Sequence, residues 1–269
     1  MAESAPGLPP ARHIVISGAS SGIGLATAER FARSGDRVTN IDLQEPPESG
    51  PPVHWLPGDV TDWGGMARML DRAIASHGPI DVVVANAGVS LRRGVLECTE
   101  VEFRRVIDVN LLGVFALWRA AAVTMVRNGG GVLLATASTN GIVGYPYYAD
   151  YNASKAGVLS LCQTFALELA PLVRTATVSP GYVTTPMQEA EYTKNMVDEL
   201  HRRIPLGRQA APAEIAEAFH YLASPAASYL TGQTIVLDGG ELAGGTASGH
   251  ATVLGTSRKM QTSNAQEET

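Results

Sequence analysis

The 269-residue chain predicts an α/β fold: a single-domain, doubly wound parallel sheet of about seven strands, flanked by helices on both faces. Three observations predict it. Short β-branched runs alternate with helix-period segments almost throughout the chain. These runs are apolar nearly end to end, as strands covered on both faces are. The length is that of one large α/β domain, enough to bury a core without disulfides or metals.

The elements follow in order. "HIVIS" (13–17) is the first strand, and a glycine-rich turn leads from it to the helical "LATAERFARSG". "RVTNIDL" is the second strand, and "VHWLPGDV", ended by Gly58 and Asp59, is the third. "MARMLDRAIASHG" has helical period, with Gly78 as its C-terminal cap. "IDVVVANAG" is the fourth strand, followed by a long helix over roughly 100–127. "GVLLATAS" is the fifth strand, residues 149–170 a further helix and "RTATVSPG" the sixth strand. "PAEIAEAFHYLAS" opens on Pro212, a residue suited to the first helical position, and "GQTIVLDGG" is the seventh strand. The pattern predicts one domain of Rossmann type over 12–242, after a flexible segment 1–11. Residues 243–269 turn small and polar and are expected to form a disordered tail.

A formal net charge of -6 argues against nucleic acid or anionic membrane as the main partner. Cys98 and Cys162 stand in no CxxC pattern and read as buried thiols in a reducing compartment. The six histidines are scattered in sequence, so no metal site is expected. The N-terminus has no apolar core of a signal peptide. "LLGVFALWRAAAVTMV" carries Arg119 and is short for a membrane span, so it reads as a core helix. A cytoplasmic location is expected.

"SGASSGIG" (17–24) lies between the first strand and the first helix. Small residues there let the backbone approach a pyrophosphate, and the helix that follows aims its amides at it. Asp42 ends the second strand, where a carboxylate receives ribose hydroxyls and repels a 2′-phosphate. No Lys or Arg lies in the glycine turn or directly after Asp42, so NAD is expected over NADP. "YNASK" sets Tyr151 and Lys155 one turn apart on a single helix face. Such a pair alone is most often a surface contact.

Taken in order, these motifs resemble the short-chain dehydrogenases/reductases over about residues 12–240. "SGASSGIG", "GDV", "ANAG", "VNLLG", "ATAST", "YNASK", "SPGYVTT" and "TGQTIVLDGG" carry the resemblance, with thirteen residues from Ser138 to Tyr151. It implies that Gly18, Ser21, Gly22, Ile23 and Gly24 form the pyrophosphate turn, and that Asp42 holds the adenosine ribose. Asp59 and Val60 flank the adenine, while Asn86, Ala87 and Gly88 pack beside the adenosine half. Pro180, Gly181, Val183 and Thr185 contact the nicotinamide side. Asn110, Ser138, Tyr151 and Lys155 are the catalytic tetrad, and Tyr151 and Lys155 also meet the cofactor. Ser17 stands where threonine is usual and Ala85 where the family has asparagine.

The function implied is NAD(H)-dependent interconversion of a secondary alcohol and a ketone, with Tyr151 as general acid/base. Lys155 is expected to lower the phenol's pKa and Asn110 to hold a water of a proton relay. The alternatives are an NADP-linked ketone reductase and a non-catalytic dinucleotide-binding sensor. Residues 187–204 occupy the place of the family's substrate lid. Tyr145, Tyr147 and Tyr148 either line the substrate mouth or pack, and Arg92 and Arg93 read as solvated rather than as anchors for an acidic substrate. Self-association into a homo-oligomer, most simply a tetramer, is expected.

Overall fold

The computed structural model describes residues 11–243, so the expectations for the first ten residues and for the tail from 244 lie outside the described residues. Seven strands form one all-parallel sheet in the order β3-β2-β1-β4-β5-β6-β7. The strands are β1 (His13–Ser17), β2 (Arg37–Asp42), β3 (His54–Pro57), β4 (Val82–Ala85), β5 (Gly131–Thr136), β6 (Val173–Pro180) and β7 (Gln233–Leu237). The helices are α1 (Gly22–Arg33), α2 (Trp63–His77), α3 (Glu100–Ile107), α4 (Gly113–Arg127), α5 (Ala149–Leu169), α6 (Pro186–Glu191), α7 (Lys194–Arg203) and α8 (Pro212–Leu222).

Alternation along the strands divides the core in two. Val15 and Val83 face one layer with Met66 and Leu70 of α2, Leu117 and Trp118 of α4, and Val158 of α5. Ile14, Ile16, Val82 and Val84 face the other, against Phe31 of α1 and Ile215 and Phe219 of α8. The central strands β1, β4 and β5 are therefore apolar on both faces, which explains the unbroken runs in the sequence. The strand order reverses between β1 and β4, and a crevice opens there at the carboxyl ends of the strands.

Several helix ends follow from local sequence. Thr99 and Glu102 form a reciprocal capping box at the start of α3, and the Asp62 side chain accepts from the Gly65 amide to cap α2. Gly78, at φ 81°, ends α2 as its sequence predicts. The long helix expected over 100–127 differs in one respect: residues 108–112 form a π-turn, with Asn110 buried inside it. By length and composition Glu100–Arg127 could cross a membrane, but half of its most apolar window is buried within the protein, as expected of a core helix.

One further expectation needs correction. Cys162 is buried, but Cys98 is only partly so, because it sits in the short loop just before α3 rather than in a core element. Three of the histidines, distant in sequence, meet in space: the His77 ring centre lies 5.3 Å from that of His13 and 5.2 Å from that of His54. The parallel register brings the starts of β1 and β3 beside the end of α2.

Candidate active site

The glycine turn is shaped by close approach. A Cβ on Gly18 would lie 2.7 Å from the Ala87 Cα, and one on Gly24 would collide with the Gly18 carbonyl. Gly18 and Gly22 have φ of 71° and 53°, a backbone that side-chain-bearing residues rarely adopt. The Ser17 Oγ accepts from the amides of Asn86 and Ala87 at 3.1 and 3.2 Å. Asn86 then ties three strand ends together, donating to the Gly18 carbonyl and accepting from the Thr136 hydroxyl, both at 2.9 Å.

Ser21, the N-cap of α1, makes no side-chain cap, unlike Asp62 and Thr99. The first amides of this 12-residue helix thus face a cleft of about 860 Å³. Gly18, Ser21, Gly22, Ile23, Asp42, Asp59, Val60, Asn86, Ala87, Gly88, Tyr151, Lys155 and Thr185 all line it. Gly24 instead lies under the turn, where its missing side chain lets helix and strand meet. The Asp42 carboxylate is held at the cleft by the amides of Ser20 and Gln44, both at 3.0 Å. A backbone cradle at an uncapped helix N-terminus, with a fixed carboxylate beyond it, fits a dinucleotide in size and chemistry.

A smaller cavity of about 130 Å³ adjoins the cleft. Pro180, Gly181, Val183 and Thr185 line it, as do Ser138, Tyr145, Tyr148 and Tyr151. Tyr151 lines both spaces and so stands at their junction. Tyr147 is half-exposed outside, at φ 72°, with Arg92 stacked 4.5 Å from its ring centre. Arg93 pairs with Glu102 at 3.3 Å, so neither arginine enters the cavity.

The four candidate catalytic residues come from three places. Ser138 follows β5, Tyr151 and Lys155 share the first turns of α5, and Asn110 sits in the π-turn. Lys155 is buried; its Nζ donates to the Thr136 carbonyl at 2.7 Å and lies 5.5 Å from the Tyr151 ring centre. Asn110 spends its side chain on structure. Its Nδ2 donates to the Val89 carbonyl and its Oδ1 accepts from the Val89 amide, at 2.9 and 2.8 Å. Any bond from Asn110 to a relay water must therefore come mainly from its backbone.

The electrostatics correct one expectation. Protein crowds closely around Tyr151, and burial pushes its phenol up to about 12, opposed by hydrogen bonding from Ser138 and reinforced by Glu191 and Tyr192. Burial likewise pulls the Lys155 ammonium down to about 8. The lysine does not lower the phenol's pKa by contact, because its hydrogen bond goes to the Thr136 carbonyl.

Sequence reading placed 187–204 as a lid but singled out none of the residues on the far wall of the cavity. Gln188, Glu191 and Tyr192 come from α6 and the residue after it, and Tyr182 from the loop before it. The Tyr148 hydroxyl donates to Glu191 Oε2 at 2.7 Å and lies 3.0 Å from the Tyr192 hydroxyl. No local motif marks Gln188, Glu191 or Tyr192, because only the path of the chain after β6 brings them over the cavity.

A family model described as enoyl-(acyl carrier protein) reductase matches residues 18–241. The cis-4-hydroxycyclohexanecarboxylate dehydrogenase of Sinomonas cyclohexanicum is 37% identical over 239 residues, covering 85% of this chain and 96% of that protein. The 3-oxoacyl-(acyl-carrier-protein) reductase of Thermotoga maritima is 37% identical over 236 residues, covering 84% and 96%. The crystal structure of 3-ketoacyl-(acyl-carrier-protein) reductase from Brucella melitensis complexed with NADH superposes with a TM-score of 0.80 at 31% identity, covering 86% of this chain and 98% of that one. With the cradle, the cleft and the ordered motifs, these likenesses make the chain a member of the short-chain dehydrogenase/reductase family, an oxidoreductase of CH–OH groups that uses a nicotinamide dinucleotide.

Proposed function

We propose that the protein is an NAD(H)-dependent enzyme that interconverts a secondary alcohol and a ketone, with Ser138, Tyr151 and Lys155 as its catalytic residues and Asn110 in support. The observation that carries this reading is the position of Tyr151 at the junction of cleft and cavity, with Ser138 beside it and Lys155 one turn along the helix. When bound, the dinucleotide supplies the hydride acceptor or donor. The Tyr151 hydroxyl takes the alcohol proton in oxidation and returns it in reduction. The Ser138 hydroxyl donates to the substrate oxygen, where charge develops. Lys155, lining the cleft, would hold the ribose and place positive charge 5.5 Å from the centre of the Tyr151 ring. Asn110 acts as a positioning residue, clipping the Val89 backbone beside the cleft.

The preference for NAD rests on Asp42, whose carboxylate is fixed at the cleft. The NADH complex of the Brucella relative agrees with it. NADP is the competing reading, favoured by Arg104 and Arg105, which also line the cleft; Arg104 is tied to Glu100 at 2.7 Å. A spectrophotometric screen of secondary alcohols and ketones with NAD(H) and NADP(H) tests both. Turnover that prefers NAD(H) at least about tenfold supports the reading, and equal kcat/KM with the two cofactors overturns it.

The reading extends to assembly, lid and compartment. A homotetramer with twofold axes would cover Val123 and Val126 of α4 and Leu167 of α5, all exposed. A monomeric mass by light scattering at micromolar concentration overturns it. Helices α6 and α7, over the expected lid segment, would move as substrate enters. The free thiols of Cys98 and Cys162 suit a reducing, cytoplasmic compartment.

A further inference from the structure

Two residues that line the substrate cavity each carry a buried polar atom with no hydrogen-bond partner among the described residues: Gln188 Nε2 and Glu191 Oε1. Both residues line the cavity, and their spacing of three places them on one face of α6. Glu191 is held in place by its other oxygen, which accepts the Tyr148 hydroxyl at 2.7 Å. Buried donors and acceptors left unpaired cost free energy, so native structures rarely retain them without a use.

Their chemistry restricts what could satisfy them. A carboxylate oxygen only accepts and an amide NH2 only donates, whereas a hydroxyl does both. An ammonium would pair with Glu191 and leave Gln188 unmatched. A carboxylate would pair with Gln188 and meet the charge of Glu191. Among the described residues, no Lys, Arg or His lines the cavity to receive an anion. The cavity, about 130 Å³, is also small beside the roughly 300–1,000 Å³ of drug-sized ligand sites.

We propose that Gln188 and Glu191 bind a second hydroxyl of the substrate, so that the enzyme acts on a compact, neutral diol or polyol and the matching hydroxyketone. This rests on the oxidoreductase reading above. In the oxidative direction the reacting carbon gives its C–H electron pair as hydride to NAD and its hydroxyl proton to Tyr151. The products are hydroxyketone, NADH and one proton, and the second hydroxyl is unchanged.

The test is a matched panel on one ring: cyclohexanol, the cyclohexanediols, and the hydroxycyclohexanecarboxylates and aminocyclohexanols with 1,2 and 1,4 spacing. A parallel four-carbon panel compares 2-butanol, 2,3-butanediol, 3-hydroxybutanoate and 3-aminobutan-2-ol. The expected result is a diol kcat/KM at least about tenfold above each matched mono-alcohol, acid and amine, from two added hydrogen bonds. In Gln188→Leu and Glu191→Gln that ratio should fall toward one, chiefly through the KM of the diol. An NADH titration close to wild type shows that each variant is folded. A lead by the acid or the amine overturns the proposal, as does a diol advantage that persists in both variants. Turnover of mono-alcohols with no diol advantage removes the hydroxyl subsite and leaves the oxidoreductase reading intact. No turnover of any compound with either dinucleotide, in protein that binds NADH, removes both.

Discussion

Lys155 Nζ lies 5.5 Å from the centre of the Tyr151 ring and gives its hydrogen bond to the Thr136 carbonyl rather than to the phenol. With no hydrogen bond between them, any influence of the lysine on the phenol has to act through space, as a charge. Burial lowers that charge's own pKa to about 8. Glu191 acts in the opposite direction, since its negative charge raises the phenol's pKa.

The pH profile of alcohol oxidation should expose both influences. Oxidation needs a proton acceptor, so its rate rises with pH along an alkaline limb. Glu191→Gln should move that limb to lower pH, because a charge opposing the phenolate is gone. Lys155→Met should move it upward or abolish it. A limb that stays in place in both variants would show that neither charge reaches the phenol.

Tyr151→Phe removes only the hydroxyl. Turnover should fall by about 10²–10⁴-fold or more, the range expected for a positioned acid/base, while NADH affinity stays near wild type. Lys155→Met should weaken both, because Lys155 lines the dinucleotide cleft. Steady-state kinetics with an NADH titration on the two variants separates these roles.

Asp42→Ala should cut the preference for NAD over NADP by about tenfold, through loss of repulsion worth about 1.4 kcal/mol. The kcat/KM ratio for the two cofactors is the readout, and an unchanged ratio would mean that selectivity lies elsewhere on the cleft wall.

Acid should destabilise the fold through His13. Its ring is fully buried, with Nδ1 donating to the Gly78 carbonyl and Nε2 accepting from the Thr39 hydroxyl, both at 2.9 Å. Burial lowers its pKa below 6.5, and burial together with His54 does the same for His77. Both rings keep the neutral form to lower pH in the folded state than in the unfolded chain, whose histidines take up protons near pH 6.5. The stability they contribute is present above that pH and is lost as pH falls through their lower folded values. Tm should drop between pH 7.5 and 5.5, and more steeply than in His13→Asn, whose Tm at pH 7.5 should itself be lower. Parallel pH profiles of Tm in the two proteins would contradict this.

The glycine turn, Asn86 and the Tyr151–Lys155 pair are legible in the sequence because each works through neighbours a few residues away or through a backbone shape only glycine allows. The strands are legible because burial on both faces leaves an unbroken apolar run. The histidine group is not, because the positions 13, 54 and 77 meet only through strand register. Gln188 and Glu191 are equally silent: on a six-residue helix, a glutamine and a glutamate look like any solvated face. The direction of the Tyr151 shift is hidden for a related reason, since the spacing of a motif carries no information about how closely other elements surround it.

The π-turn at 108–112 adds one residue to what would otherwise be a continuous α-helix. Deleting one residue there would restore ordinary winding and leave the faces of α3 and α4 in register, because the wide turn takes up the extra residue locally. Buried Val106, and Arg104 and Arg105 on the cleft wall, would keep their places, but the bulge that sets Asn110 against Val89 would be gone. The extra residue is thus a local device for presenting one side chain: its loss should leave a folded protein in which the loop after β4 is no longer held by Asn110.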